Sequence, residues 1–310
     1  MTDTKVLFAG TPDFALASLR ALVEKAVVPV AVLTQPDRPA GRGKKLTASP
    51  VKQYANEQGI PVLQPTTLRD AAVIEELQAR KPDILIVAAY GLLLPQELLD
   101  IPVRGCLNVH ASVLPRWRGA APIQAAILAA DKTTGISLMS MTAGLDCGPV
   151  FVSEFVDIGA EETAGELHDR LAGLGGRMLV ENLDAITSGD MGAIEQDESL
   201  ATYAGKITTA DAALDWMQAA KEVCRKVRAY NPVPGAYFKL ADERVKCWRA
   251  KATNATGAKP GTVLSADRDG IVVACGEGAI VLRELQRPGK ARVSAQEFAA
   301  QTNPLGQVLA

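Results

Sequence analysis

At 310 residues the chain is long enough for two domains, and its 48% apolar content is ample for folded cores, which argues against wholesale disorder. No apolar run approaches the ~20 residues of a membrane-spanning helix, and Val6–Ala9 is too short for a signal-peptide core, so a cytoplasmic protein is expected. The net charge of −2 hides an asymmetry: Lys206 to Ala310 carries 16 Lys and Arg against 10 Asp and Glu, leaving 17 against 25 before it. A basic C-terminal part suits an anionic macromolecular partner, although chance variation between domains would look the same.

In chain order, Lys5–Ala9 reads as a buried strand, which Gly10-Thr11-Pro12 turns into a helix reaching about Lys25. Pro12 and Phe14 stand where a G-x-G-x-x-G motif needs glycines, which disfavours a nicotinamide oxidoreductase. Val28–Leu33 is a second strand. The stretch Thr34–Leu46, with two prolines, two glycines and four cations, reads as an exposed, mobile loop. Its Arg38, Arg42, Lys44 and Lys45 could meet phosphates or simply be solvated. It is not a phosphate-binding P-loop, since Gly43-Lys44 is followed by Lys45.

Val51–Gln58 and Asp70–Arg80 read as helices on either side of a short strand, Pro61–Leu63. Ile84–Ala89 is nearly all apolar, the mark of a central parallel strand covered on both faces. A further strand ends at Asn108-Val109-His110. Helix Ala121–Ala130, strands Thr134–Met141 and Val150–Val156, and helix Thr163–Ile186 follow. Alternating strands and helices predict an α/β fold, a doubly wound, mostly parallel sheet over residues 1–188.

Residues 189–209 read as a linker. From 210 to 310 the pattern changes. A helix is predicted from Asp211 to about Tyr230, then short strands at Ala236–Leu240, Val245–Ala250, Gly261–Ala266, Gly270–Ala274 and Ala279–Glu284. Five short strands suggest a smaller C-terminal β-barrel of the OB type, with Lys246, Arg249, Lys251, Lys290 and Arg292 as candidates for a basic face. Ala300–Ala310 carries no readable motif.

The chemistry centres on Asn108 and His110. Two apart on a strand, they project from one face where the strand meets a loop, a position at which open α/β sheets bind ligands. The five cysteines are scattered with no C-x-x-C, and the histidines are only two, so neither a disulfide framework nor a metal centre is expected. Cys106 and Cys147 read as small buried apolar residues.

Downstream of the pair stand Ser112-Val113-Leu114-Pro115-Arg116-Trp117-Arg118-Gly119 and Gly144-Leu145-Asp146-Cys147-Gly148. These strings resemble the formyltransferases that use 10-formyltetrahydrofolate, with Val113 in place of a commoner Leu. The basic loop resembles the one inserted in the methionyl-tRNA formyltransferases. The resemblance covers nearly the whole chain. It implies that Asn108, His110 and Asp146 form the catalytic group. It implies that Ser112, Val113, Leu114 and Pro115 hold the folate, with Tyr90 and Gly91 bordering the formyl pocket. Arg38, Arg42, Lys44 and Lys45 would reach the acceptor end of initiator methionyl-tRNA; Lys206 reads either as a linker cation facing the same partner or as an ordinary solvated lysine. The implied donor is 10-formyltetrahydrofolate, a co-substrate, with no metal. No obligatory protein partner is evident.

Asn108 and a protonated His110 would then form an oxyanion hole, with Asp146 either pairing with His110 or relaying a proton. Two other readings compete. A formyltransferase for a small amine would need neither the basic loop nor the basic domain. A non-catalytic RNA-binding protein would not need the three polar residues.

Overall fold

The computed structural model describes residues 4–40, 43, 45–255 and 257–310. The chain divides into two compact units. The first comprises Met1–Pro122, Thr133–Val156 and His168–Ala204; the second comprises Ile123–Lys132, Asp157–Leu167 and Gly205–Ala310. Thus 189–204, the larger part of the expected linker, belongs to the first unit.

The first unit opens with β1 (Val6–Gly10), α1 (Asp13–Glu24) and β2 (Ala31–Leu33). A small hairpin, β3 (Arg38–Ala40) and β4 (Lys45–Thr47), precedes α2 (Pro50–Glu57), β5 (Val62–Leu63), α3 (Ala71–Ala79) and β6 (Ile84–Ala88). Then come α4 (Gln96–Leu99), β7 (Cys106–His110) and β8 (Arg118–Gly119), followed in sequence by α5 (Pro122–Leu128), which past Pro122 belongs to the second unit. The elements β9 (Thr133–Ser140), β10 (Val150–Asp157), α6 (Ala164–Ser188) and β11 (Tyr203–Ala204) follow.

Seven strands form one sheet in the order β10-β9-β7-β6-β1-β2-β5, parallel from β5 to β7 and antiparallel between β7 and β9. All five residues of β1, β6 and β7 are buried, as expected of strands covered on both faces. On one face Leu7, Ala9, Leu33, Leu85, Val87 and Cys106 pack with Leu77, Leu98 and Leu99. Burial pushes the Cys106 thiol up to about 12, so it is a small apolar residue here. The chain leaves β1 toward β2 and β5, then returns to the other side of β1 as β6. The direction of winding reverses there, which opens a crevice beyond the strands' C-terminal ends.

The stretch expected to be an irregular loop contains the β3–β4 hairpin, with Arg38 opposite Thr47 and Pro39 opposite Leu46. Three-residue strands show no periodicity in sequence, and a proline is tolerated in so narrow a ribbon. The hairpin's root is pinned. Lys52 Nζ donates to both Asp37 oxygens at 2.9 and 2.8 Å and to Gln64 Oε1 at 2.7 Å, while Gln64 Nε2 donates to Asp37 and to the Gln35 carbonyl. These bonds, that from Lys52 foremost, hold the Asp37 carboxyl below its ordinary range.

In the second unit α7 (Ala220–Ala229) leads to β12 (Tyr237–Leu240), β13 (Glu243–Thr253), β14 (Val263–Asp267), β15 (Gly270–Ala274), β16 (Ala279–Gln286), β17 (Arg292–Ser294) and α8 (Ala295–Thr302). The strands form one antiparallel sheet, a curled half-barrel, with β12-β13-β16-β15-β14 in order and β17 added against β16. Three expectations change. The helix starts at Ala220, not Asp211. Ala212, Leu214 and Trp216 are buried while Asp215 and Met217 are exposed, an alternation of period two, and Leu214 N–H bonds to the Tyr237 carbonyl as an extended segment would. A sixth strand, β17, joins the sheet. Finally α8 forms from a capping box, Ser294 with Glu297, that buries Phe298. Among the described residues no helix is long and apolar enough to cross a membrane.

The close approach of β1 to its neighbours depends on Gly10, where a Cβ would lie 2.5 Å from Ala15 Cβ and 2.9 Å from the Ala88 carbonyl oxygen. Gly10→Ala should therefore cost about 1–3 kcal/mol of stability through overpacking, read as a lower urea midpoint with an unchanged slope.

Candidate active site

Asn108 and His110 stand on β7 opposite Met139 and Ser137 of β9, and Asn108 also faces Val87 of β6. Their side chains are 8% and 6% exposed, so each polar group must find a partner at the sheet's end. The partner comes from the loop joining β9 to β10. There Asp146 adopts a left-handed conformation, φ +49°. The loop folds tightly because Gly148 has no side chain: a Cβ would run into the Ser140 carbonyl.

The carboxylate of Asp146 is shared among three residues. Oδ1 accepts from Asn108 Nδ2 at 3.3 Å, and Oδ2 accepts from the Gly119 backbone N–H at 2.8 Å. Oδ2 also lies 3.7 Å from His110 Nδ1, close enough for ionic attraction but too long for a hydrogen bond. The other ring nitrogen, Nε2, is 3.0 Å from the Trp117 carbonyl. A carbonyl only accepts, so Nε2 carries the hydrogen, and Nδ1 is the nitrogen left to act. Asn108 has spent one amide hydrogen on Asp146 and keeps a second. The cluster thus offers one amide N–H and one imidazole nitrogen beside a fixed negative charge.

The loop after β7 is braced from within. Ser112 Oγ donates to the Arg116 carbonyl at 2.6 Å, while Ser137 Oγ donates to the Ser112 carbonyl at 2.8 Å and accepts from Leu114 N–H at 3.1 Å. Leu114 is buried, and Val113 and Pro115 are half-buried. Tyr90 follows β6. Its carbonyl accepts from Thr11 Oγ1, and burial pushes its phenol up to about 12. Gly91, at φ +86°, is exposed beside it.

The cations expected to meet tRNA lie apart from this cluster in sequence and in setting. Arg38 and Lys45 are exposed on the hairpin, Arg38 donating to Gln35 Oε1 at 3.1 Å. Arg42 and Lys44 fall outside the described residues. Lys206 is exposed near the start of the second unit. The expected basic face is in part a mixed one. Arg249 lies near Glu166 and Glu284, and Lys251 near Glu161. Lys246 and Arg292 lie against the Trp248 ring, and Lys290 is exposed.

Pattern alone missed Arg118, the largest fully buried side chain among the described residues, only 1% exposed. Its Nη1 and Nη2 donate to the two oxygens of Glu198 at 2.9 and 2.7 Å, and its Nε donates to Gln196 Oε1 at 3.0 Å. The only sequence signal was its place in the Ser112–Gly119 string.

Comparison with known proteins gives the family. Residues 4–183 match the formyl transferase family model, and residues 206–303 match that of the formyl transferase C-terminal domain. The methionyl-tRNA formyltransferase of Aromatoleum aromaticum is 54% identical over 95% of this chain and 93% of its own length. That of Ralstonia nicotianae is 52% identical over 96% and 95%. This chain belongs to the methionyl-tRNA formyltransferase family. Solved structures share the fold at lower identity. An N-formyltransferase from Helicobacter canadensis, in complex with folinic acid and dTDP-3-aminofucose, superposes with a TM-score of 0.68 at 18% identity, over 92% of this chain and 99% of its own. HypX from Aquifex aeolicus, in complex with tetrahydrofolic acid, gives 0.65 at 19%, over 97% and 48%.

Arg118 holds the Glu198 carboxyl below its ordinary value of 4.5 in this family member. A depressed carboxylate stabilises the folded state above that value and stops doing so as pH falls through the lowered one. The melting temperature of the unmodified chain should exceed that of Glu198→Gln at neutral pH, and the difference should fade as pH falls below about 4.5.

Proposed function

We propose that this chain transfers a formyl group from 10-formyltetrahydrofolate to the α-amino group of methionyl initiator tRNA. The observation that carries the mechanism is the Asp146 carboxylate shared by Asn108, Gly119 and His110. Translation enzymes work in the cytoplasm, and we propose the same compartment here.

In this reading the neutral amine attacks the formyl carbon. A C–N bond forms, and the carbonyl π electrons move to oxygen. The free amide hydrogen of Asn108 donates to that oxyanion. The amine must lose one proton and folate N10 must gain one as its bond to the formyl carbon breaks. His110 enters this step neutral: its bare Nδ1 takes the first, the Nδ1–H so formed donates to the oxyanion, and the proton is delivered to N10 alone or through water, with the Asp146 carboxylate 3.7 Å away as ionic partner. No covalent adduct with the protein is needed.

Substrate placement follows the same reading. Ser112–Pro115, Tyr90 and Gly91 would border the folate. The Tyr90 hydroxyl supports a polar heterocycle there, being buried with no protein partner among the described residues. Arg38, Arg42, Lys44, Lys45 and Lys206 would meet tRNA, with the first unit catalytic and the second a tRNA-binding module.

The deciding assay incubates the protein with 10-formyltetrahydrofolate and methionyl initiator tRNA and looks for N-formylmethionine. Asp146→Asn should lower kcat by roughly 10²–10⁴, the span of acid–base groups, while both substrates still bind. Near-normal turnover in that variant would make Asp146 structural only. Lys45→Ala should weaken tRNA use, more so at low salt, and leave the folate KM unchanged. Equal losses for both substrates would remove the hairpin from the tRNA site.

A further inference from the structure

The chemistry above requires Asp146 at one place but does not explain why a guanidinium is buried nearby. Burying Arg118 is expensive unless its donors are met, and here Glu198, Gln196 and, at 3.5 Å, the Tyr203 hydroxyl accept from them. Glu198 takes one edge, at the surface, where its side chain is 69% exposed. Gln196 takes Nε and turns inward. Its own amide hydrogens go to the Asp146 carbonyl at 2.9 Å and the Gly148 carbonyl at 2.7 Å. Residue 119, next to Arg118, supplies the N–H that binds Asp146 Oδ2.

The segment that carries Gln196 is itself fixed. Asp197 caps a turn over Glu198–Leu200, accepting from Ser199 N–H at 2.9 Å. Thr202 then accepts from Trp117 N–H through its hydroxyl and from Arg118 N–H through its carbonyl, and β11 pairs with β8. All of these residues lie in the first unit. Asp146 is therefore gripped at both ends, its carboxylate by Gly119 and its backbone by Gln196. Both grips trace to Arg118.

We propose that Arg118 and Gln196 are positioning residues for formyl transfer, holding the Asp146 backbone in its left-handed turn so that the carboxylate meets Asn108 and His110. The inference rests on the proposed role of Asp146. If Arg118 only tied two surface segments together, Glu198 would suffice, and Gln196 would have no reason to aim both donors at carbonyls flanking the site.

Arg118→Ala leaves Glu198 and Gln196 unmet and is a poor test if the chain fails to fold. Gln196 is half-buried and gives a cleaner one. Gln196→Met removes both inward donors at similar size. Gln196→Glu keeps an acceptor for Arg118 but sets it against two carbonyl oxygens. Kinetics of formylation would be measured for both, alone and combined with Asp146→Asn, with urea unfolding as the fold control. Each single variant should lose kcat about tenfold, with KM for folate and tRNA within about twofold. In the Asp146→Asn background the added loss should fall below about twofold, since the group being positioned is already disabled.

Three outcomes overturn the proposal. Unchanged kcat in both Gln196 variants, with Asp146→Asn impaired, removes the positioning role alone. Fully multiplicative losses in the double variants show that Gln196 acts by another route. Normal turnover in Asp146→Asn removes the proposed catalytic role of Asp146 and the positioning role with it.

Discussion

A carboxylate that serves three neighbours at once constrains the backbone far more than it constrains itself. Asp146 reaches Asn108, Gly119 and His110 from one side chain. For this its own residue sits at φ +49°, a region that costs a non-glycine residue about 1 kcal/mol or more. Such a conformation persists only where the surroundings over-determine it. Here Gly148 leaves room for the turn, and Gln196 holds its carbonyls. The chain from Ser112 to Gly119 must also fold back so that Trp117 can fix the imidazole and Gly119 the carboxylate.

Much of the first unit was legible because burial on both faces leaves a plain mark. Ile84–Ala88 could hardly be anything but a central strand, and Asn108 and His110 declared a shared face by being two apart. Asp146 was reachable only through resemblance, since nothing local says which of 35 acidic residues will come home to a given strand. The support behind it was illegible for a sharper reason. Arg118 stands beside Arg116 and Trp117 with nothing local to mark it as buried, while Gln196 and Glu198 lie in a Gly-, Asp- and Glu-rich stretch that reads as linker. Each looks ordinary until the other is brought to it. The segment before α7 was different: the alternation of Ala212, Leu214 and Trp216 was present, but a single Asp among alanines looks equally like a helix start.

The Arg118–Glu198 pair also shows how an ion pair can hold a buried group without the whole cost of burial. One partner is in the interior and the other is largely in water, so only one charge loses its hydration. The fork-to-carboxylate geometry meets two of the guanidinium's hydrogens directly, and Gln196 meets a third. A lysine at this position would keep the charge but lose the planar fork that meets the carboxylate with two parallel hydrogen bonds.

The hairpin of Arg38–Ala40 and Lys45–Thr47 divides its labour between two places in the sequence. What locks its base is Asp37, held by Lys52 and Gln64 from beyond the hairpin, while Arg38 and Lys45 lie on the arms. Anchor and arms can therefore change independently. A lineage, or a designer, could rewrite the residues between Arg38 and Thr47, and the altered ribbon would still rise from the same three-residue knot.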